Sequence, residues 1–208
     1  MSSYQQSTFN NRQLKDKIQA SFSKAAINYD TLALFQKEVA EELIDFVFKT
    51  PHPTSLIPHP RILDIGCGTG FLTHSLAKLL PKANIFGCDI AHEMIDVTKD
   101  KGQGTGGKKI HLLTADGAAL PYRDKAFGMV ASNLTYQWIH DINTAFSEAY
   151  RVLRPGGIFT FSTLGPETLK ELRYCYAAAS AKFNKNGLPP FMDFADEQTI
   201  QSTMKSAG

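Results

Sequence analysis

The stretch LDIGCGTGFL, residues 63–72, decides the fold. The apolar run RILDI (61–65) enters it as a buried strand, and residues 71–80 leave it with helical spacing. Between them Gly66, Gly68 and Gly70 give the order G-x-G-x-G, a bare backbone where a strand turns into a helix. In open α/β sheets, ligands bind at such turns, at the carboxyl ends of the strands.

Outward from this stretch, strands and helices alternate. NIFGCD (84–89), KIHLLTAD (109–116) and AFGMVASN (126–133) read as strands, with a helix over 91–100 and a flexible basic loop, KGQGTGGKK, at 101–109. Ile142, Ala145, Phe146, Ala149, Val152 and Leu153 mark one helix face. Arg154-Pro155-Gly156-Gly157 is predicted to end that helix and turn into the strand GIFTFST (157–163). Leu169, Leu172, Tyr176, Ala179 and Phe183 predict a further helix with Pro166 in its first turn. A last helix is expected from about 196 to Gly208. Upstream, Leu14, Ile18, Phe22, Ala25, Ala26 and Tyr29, then Leu32, Phe35, Val39, Leu43 and Phe46, predict two amphipathic helices. The fold class is therefore α/β, with a parallel central sheet and helices on both faces. One domain over 1–208 is expected, with a helical cap at 1–49, a core at 61–163 and a second cap segment at 164–195.

Composition narrows the function. The 208 residues are 43% hydrophobic and 20% charged, with a net charge of +2. That balance argues against a general nucleic-acid binder. No apolar run is long enough for a signal peptide or a membrane span, so a cytoplasmic setting is expected. Cys67, Cys88 and Cys175 form no CxxC pair, so neither a disulfide framework nor a metal is expected. His52 and His59 fall in the proline-rich stretch TPHPTSLIPHP (50–60), which reads as a solvated loop.

The order G-x-G-x-G differs from the G-x-G-x-x-G of dinucleotide folds. Asp64, two positions before Gly66, would repel a pyrophosphate and favour a cation. S-adenosylmethionine carries a sulfonium and an ammonium and no phosphate, so it fits better than a nicotinamide cofactor. Asp89, about twenty residues past the glycines, is placed to accept both ribose hydroxyls. Asp116 and Gly117 are placed to meet the adenine amine and a ring nitrogen. Ile90 and Met94 beyond Asp89, with Asn133 and Leu134 at the end of the fourth strand, complete the expected cofactor wall. Cys67 reads as a small buried spacer, since methyl transfer needs no nucleophilic thiol.

Asp64, the glycines, Asp89 and Asp116, in order at three successive strand ends, resemble the Rossmann-like class I S-adenosylmethionine-dependent methyltransferases. Three further segments, FSKAAINYD (22–30), SNLTYQW (132–138) and FSTLGPETLKEL (161–172), resemble the malonyl-acyl-carrier-protein O-methyltransferases of biotin synthesis. The resemblance covers nearly the whole chain. It implies methyl transfer from S-adenosylmethionine to the free carboxylate of a malonyl thioester on acyl carrier protein, or on coenzyme A, leaving S-adenosylhomocysteine. A carboxylate is already ionised at pH 7, so no general base and no catalytic residue is expected. His140 reads as a surface residue at a helix start.

Four residues are candidates for the substrate. Gln137 is a donor for the malonyl group, a part that Asn133 of the cofactor wall can share, Trp138 a wall of the pocket, Tyr29 a cap residue, and Arg173 a bidentate partner for the carboxylate. Trp138 and Tyr29 read equally as packing aromatics, and Arg173 as a solvated helix residue. An acidic carrier protein would meet Lys15, Lys17, Lys24, Lys170, Arg173, Lys182 and Lys185 as a basic rim.

The pattern departs from the family at Phe127-Gly128, where Phe-Asp is usual, and at its end, where the family's last two strands have no counterpart before Gly208. Two other readings stay open: a methyltransferase for another small acid or a quinone precursor, and a non-catalytic methyltransferase-fold assembly factor.

Overall fold

The computed structural model describes residues 3–49, 60–102, 110–183 and 193–208, with only the main chain for 3–11. His52, His59, most of the basic loop at 101–109 and Lys185 lie outside the described residues.

Five strands, β1 (Arg61–Ile65), β2 (Asn84–Asp89), β3 (Ile110–Thr114), β4 (Phe127–Asn133) and β5 (Leu153–Ser162), form one sheet in the order β3-β2-β1-β4-β5. Every pairing is parallel. The order reverses between β1 and β4, so a crevice opens at the carboxyl ends of those two strands. Burial on both faces follows from near-continuous apolar sequence: all seven residues of β4 except Asn133 are buried.

Side chains alternate between two cores. Ile62, Ile85, Met129 and Ala131 pack against α3 (Leu34–Lys49) and α4 (Phe71–Leu79). Leu63, Ile65, Cys88 and Val130 point the other way, toward Ala149 and Val152 of α6 (Ile142–Val152). Of the face predicted from spacing, Ala145, Phe146, Ala149 and Val152 are buried in α6, Ile142 is half-buried, and Leu153 starts β5 instead. The C-terminal α8 (Glu197–Ala207) lies against it, bringing Ile200, Met204 and Ala207 to Tyr136, Phe146, Phe159 and Phe161. Asp196 caps α8 by accepting the Thr199 N–H.

Three local expectations change. The upstream segment is α1 (Ser3–Ala25), a 3-10 turn (Ala26–Asn28), a short α2 (Tyr29–Leu32) and α3, rather than two helices. The buried stripe of α3 runs through Ala40, Leu43 and Val47, while Leu32, Phe35 and Phe46 are exposed. Arg154-Pro155-Gly156-Gly157 does not precede a strand; it is a bulge inside one. Phe127 pairs with Leu153 and Met129 with Ile158, so β5 advances five residues for two on β4. Pro155 has no N–H for a ladder and Gly156 takes φ 73°, which together displace the extra residues. Finally, Pro166 lies outside α7 (Lys170–Lys182), because Leu169 at φ 60° interrupts the helical path before it. None of the residues of α7 is buried, and Leu169, Leu172 and Phe183 are exposed.

Candidate active site

The site begins where β1 ends. The N–H groups of Gly66 and Cys67 both donate to the Cys88 carbonyl of β2, which holds the glycine loop against the neighbouring strand. Gly66, Gly68 and Gly70 take φ 69°, 54° and 86°, conformations open to glycine at little cost. The three differ in what surrounds them. A Cβ on Gly66 would fall 2.1 Å from Thr135 Oγ1, and one on Gly70 would fall 2.4 Å from Thr98 Cγ2. A Cβ on Gly68 would meet nothing within 4 Å, so its bare backbone faces open space.

Asp89 ends β2 beside this loop. Its Oδ2 accepts the Gly68 N–H and its Oδ1 the Ala91 N–H, each at 2.9 Å. Burial raises its pKa, while the N–H groups of Ala91, Gly68 and Ile90 oppose the rise. A carboxylate offers about four acceptor sites and three N–H groups reach this one, so acceptor capacity remains for a ligand in the cleft.

Past β3, the Asp116 carboxylate accepts the Ala118 N–H at 3.0 Å and pairs with Lys15 of α1. Gly117 packs close to Ile65 and Ile139, where a side chain would be tight. Phe22 of α1 meets Trp138 edge-on, with ring centroids 5.5 Å apart. It also joins Tyr29 in a cluster on Ala91 and Met94 at the start of α5 (His92–Gly102). These contacts lay α1 across the strand ends as a roof.

Beneath that roof is a cleft of about 500 Å³. Gly66, Gly68, Asp89, Ile90, Met94, Asp116, Gly117, Asn133, Leu134, Tyr29 and Trp138 all line it. His140 lines it too, exposed, immediately before Asp141, the N-cap of α6. Asp64 and Cys67 instead line a smaller cavity of about 50 Å³ on the far side of the glycine loop. Gly70 lines neither; its part is to let the loop turn into α4 against Thr98.

Asp64 is 1% exposed. Its Oδ2 accepts the Thr73 hydroxyl at 2.6 Å, but its buried Oδ1 has no hydrogen-bond partner. Burial pushes its pKa up to about 7; the Thr73 hydrogen bond opposes this and repulsion from Asp89 adds to it. Cys67 and Cys88 are buried thiols, and burial raises the pKa of both. Cys67 touches the position a Gly87 side chain would take, consistent with a spacer.

Two substrate candidates stand away from the cleft. Gln137 turns its amide inward, with Nε2 donating to the Leu134 carbonyl at 2.9 Å and Oε1 accepting from Thr163. Arg173, in the first turn of α7, bonds Asp193 at 3.2 Å and lies over the Phe194 ring. Asn133 lines the cleft, but its amide is engaged: Nδ2 donates to the Gln36 carbonyl and Oδ1 accepts the Ser162 hydroxyl. In the basic rim, Lys15 pairs with Asp116, Lys170 with Glu167, and Lys182 lies near the Phe183 ring, while Lys17 and Lys24 are exposed on α1.

The structure adds residues that spacing did not single out. Asp30 accepts the Thr69 hydroxyl at 2.6 Å and pairs with Lys101, whose ammonium also reaches the Thr69 carbonyl. Burial works against the Asp30 charge, but Lys101 and Thr69 outweigh it and hold the carboxyl below its ordinary range. This cluster ties α2 to the glycine loop. Its signal was Tyr29-Asp30 itself, in the quoted FSKAAINYD segment, beside Thr69 within the glycine stretch.

S-adenosylmethionine fits these residues. The open backbone at Gly68 lets a ligand approach closely, the two carboxylates at the ends of β2 and β3 suit hydroxyl and amine donors, and the orphaned Asp64 oxygen suits a cation. Among the described residues, no helix is long and apolar enough to cross a membrane.

Comparison with known proteins agrees with this geometry. Residues 63–161 match the methyltransferase domain family. Phosphoethanolamine N-methyltransferase 2 of Haemonchus contortus, solved with S-adenosyl-L-methionine, shares the fold with a TM-score of 0.58 at 23% identity, over 72% of this chain and 33% of that one. The biotin biosynthesis bifunctional protein BioHC of Teredinibacter turnerae is 37% identical over 94% of this chain, which spans 34% of its length. The malonyl-[acyl-carrier protein] O-methyltransferase of Methylococcus capsulatus is 34% identical over 90% of this chain, which spans 64% of its length. That of Geobacter sulfurreducens is 34% identical over 92% of this chain, which spans 69% of its length. With that identity across nearly all of its own sequence and the strand-end site built on the same fold, the chain belongs to the malonyl-[acyl-carrier protein] O-methyltransferase family.

Proposed function

We propose that the cleft binds S-adenosylmethionine and that the protein transfers its methyl group to the free carboxylate of a malonyl thioester on acyl carrier protein. The observation that carries the reading is the Gly68–Asp89 pair beside Asp116, at the ends of three adjacent strands around one cleft. Asp89 would accept the ribose hydroxyls and Asp116 the adenine amine, exchanging part of its bond to Lys15. Ile90 and Met94 would pack against the adenosine, and the Gly117 N–H would meet a ring nitrogen.

When bound, the cofactor supplies an electrophilic methyl group on a sulfonium. The work left to the chain is alignment, exclusion of water and charge balance. Phe22, Leu134, Trp138 and Ile139 line the cleft with apolar surface. A carboxylate and a sulfonium lose both their charges as the methyl moves. An apolar wall therefore favours the transition state, where those charges are already fading, over the separated ions. The substrate carboxylate is ionised at neutral pH and needs no proton removed. His140 is then not required as a base, which suits its exposed place beside the α6 cap.

The chain spans a third to two thirds of most of these relatives' length, so the acceptor is tested directly. Titration calorimetry with S-adenosylhomocysteine is expected to show one-to-one binding. Incubation with S-adenosylmethionine and malonyl-acyl carrier protein is expected to add one methyl group to the acyl chain by mass. Binding without that gain would refute the acceptor for this chain, and absence of binding by folded protein would refute the cofactor.

A further inference from the structure

The smaller cavity is lined by the buried Asp64 carboxyl, by the Lys37 ammonium and by Asp30; neither Asp64 nor Lys37 forms a salt bridge among the described residues, although the Asp30 carboxylate lies close enough to Lys37 to attract it. Asp64 presents an oxygen with no hydrogen-bond partner. Lys37, one turn into α3, lines the same cavity. Its ammonium donates to the Asp30 main-chain carbonyl at 2.7 Å, which satisfies one of its three N–H groups. The Asp30 carboxylate is already engaged by Lys101 and Thr69. No carboxylate forms a salt bridge with Lys37 among the described residues.

Leaving a fully buried carboxyl oxygen unpartnered beside an ammonium with free N–H groups is costly, and a ligand that supplies a cation to the first and an anion to the second removes that cost. A phosphate or a simple acid would satisfy Lys37 and be repelled by Asp64. A simple amine would do the reverse. An α-amino-acid head group carries an ammonium and a carboxylate on one carbon and answers both. The volume, about 50 Å³, is a tenth of that of the large cleft and suits a small polar head group. Tyr29, Gly66, Gly68 and Asn133 line this cavity and the large cleft alike, so one ligand can extend from one into the other.

We infer that Lys37 is the anchor for the α-carboxylate of the methionyl end of the cofactor, opposite Asp64, which takes its ammonium. This rests on the reading of the large cleft as the adenosyl site. It makes α3, part of the cap, a direct contributor to the cofactor site. The carboxylate then links the cap to the core through Lys37, in addition to the Asp30–Thr69 bond.

The test compares two ligands that differ only in that carboxylate: S-adenosylmethionine and decarboxylated S-adenosylmethionine. Affinities are measured by calorimetry for the wild type, Lys37→Met and Lys37→Arg, with thermal unfolding as the check on folding. The wild type is expected to prefer the carboxylated ligand by roughly tenfold or more, the usual scale of a hydrogen bond to a charged group. Lys37→Met is expected to lose that preference while binding the decarboxylated ligand as before, and Lys37→Arg to keep most of it. Equal weakening of both ligands by Lys37→Met would make Lys37 a structural support and overturn the assignment. So would a preference that survives the substitution, or wild type that binds both ligands equally. Wild type that binds neither would instead refute the adenosyl reading of the large cleft, and this inference with it.

Discussion

The Asp89 carboxylate accepts the Gly68 N–H at 2.9 Å across 21 positions of chain. One side chain thus sets the glycine loop and faces the cleft. Asp89→Ala removes the loop's anchor, the Ala91 contact and the expected ribose acceptor together. It is expected to lower affinity for S-adenosylhomocysteine by roughly ten- to a hundredfold and stability by about 1–3 kcal/mol. Calorimetry and denaturant unfolding read the two effects separately, and unchanged affinity would refute the ribose assignment.

Gly66 and Gly68 predict opposite phenotypes. Gly66→Ala drives a Cβ into Thr135 and strains a positive φ, so it should cost stability, about 2–4 kcal/mol. Gly68→Ala meets no protein atom and carries only the backbone strain, about 1–2 kcal/mol. Its Cβ would occupy the open space where the ligand approaches, so its larger effect should fall on ligand affinity. A thermal melt and a titration for each variant decide the pattern. Equal affinity losses in the two variants would contradict it.

Asp64 makes stability depend on pH. Its folded pKa, about 7, lies above that of an unfolded carboxylate, so the folded state holds a proton that the unfolded state has released. Stability of the ligand-free protein should therefore fall as pH rises from about 4 to 7 and level off above that, as far as this group decides it. Asp64→Asn should flatten that slope and raise the unfolding free energy more at pH 8 than at pH 5. An unaltered pH profile in the variant would show that Asp64 ionises without penalty.

Arg154 lies over Gly128 with a buried Nη2 that lacks a hydrogen-bond partner. A Cβ on Gly128 would fall 2.2 Å from that nitrogen, the tip of a long side chain that can shift. The residue type usual at this position in the resembled family, aspartate, would give it a carboxylate. Gly128→Asp is expected to be more stable than Gly128→Ala by about 1–3 kcal/mol, and Arg154→Met should erase the difference. Thermal unfolding of the four combinations measures it.

Much of the cofactor side was legible because it depends on backbone turns at strand ends. Gly66, Gly68 and Asp89 are fixed by where β1 and β2 stop, and hydrophobic runs mark those stops. The substrate side was less legible. Gln137 and Trp138 are adjacent in a 3-10 turn, so they point in different directions; one lines the cleft and the other bonds Leu134. Arg173 has an available carboxylate in Asp193, across a segment whose course no spacing rule gives. In the sequence Arg154–Gly157 has the marks of a turn, because proline and glycine mark turns and bulges alike, and only pairing with β4 distinguishes them.

By itself the sequence determined the strand–glycine–helix unit, the parallel alternation and the acidic residues at successive strand ends. These follow from local chain geometry and from hydrophobic period, which act over a few residues. Only the tertiary structure decided that Asp64 turns into a separate cavity, that Lys37 of α3 lines it too, and that Asp116 is held by Lys15 of α1. Those relationships join segments up to 101 positions apart, and packing alone brings such distant charges together.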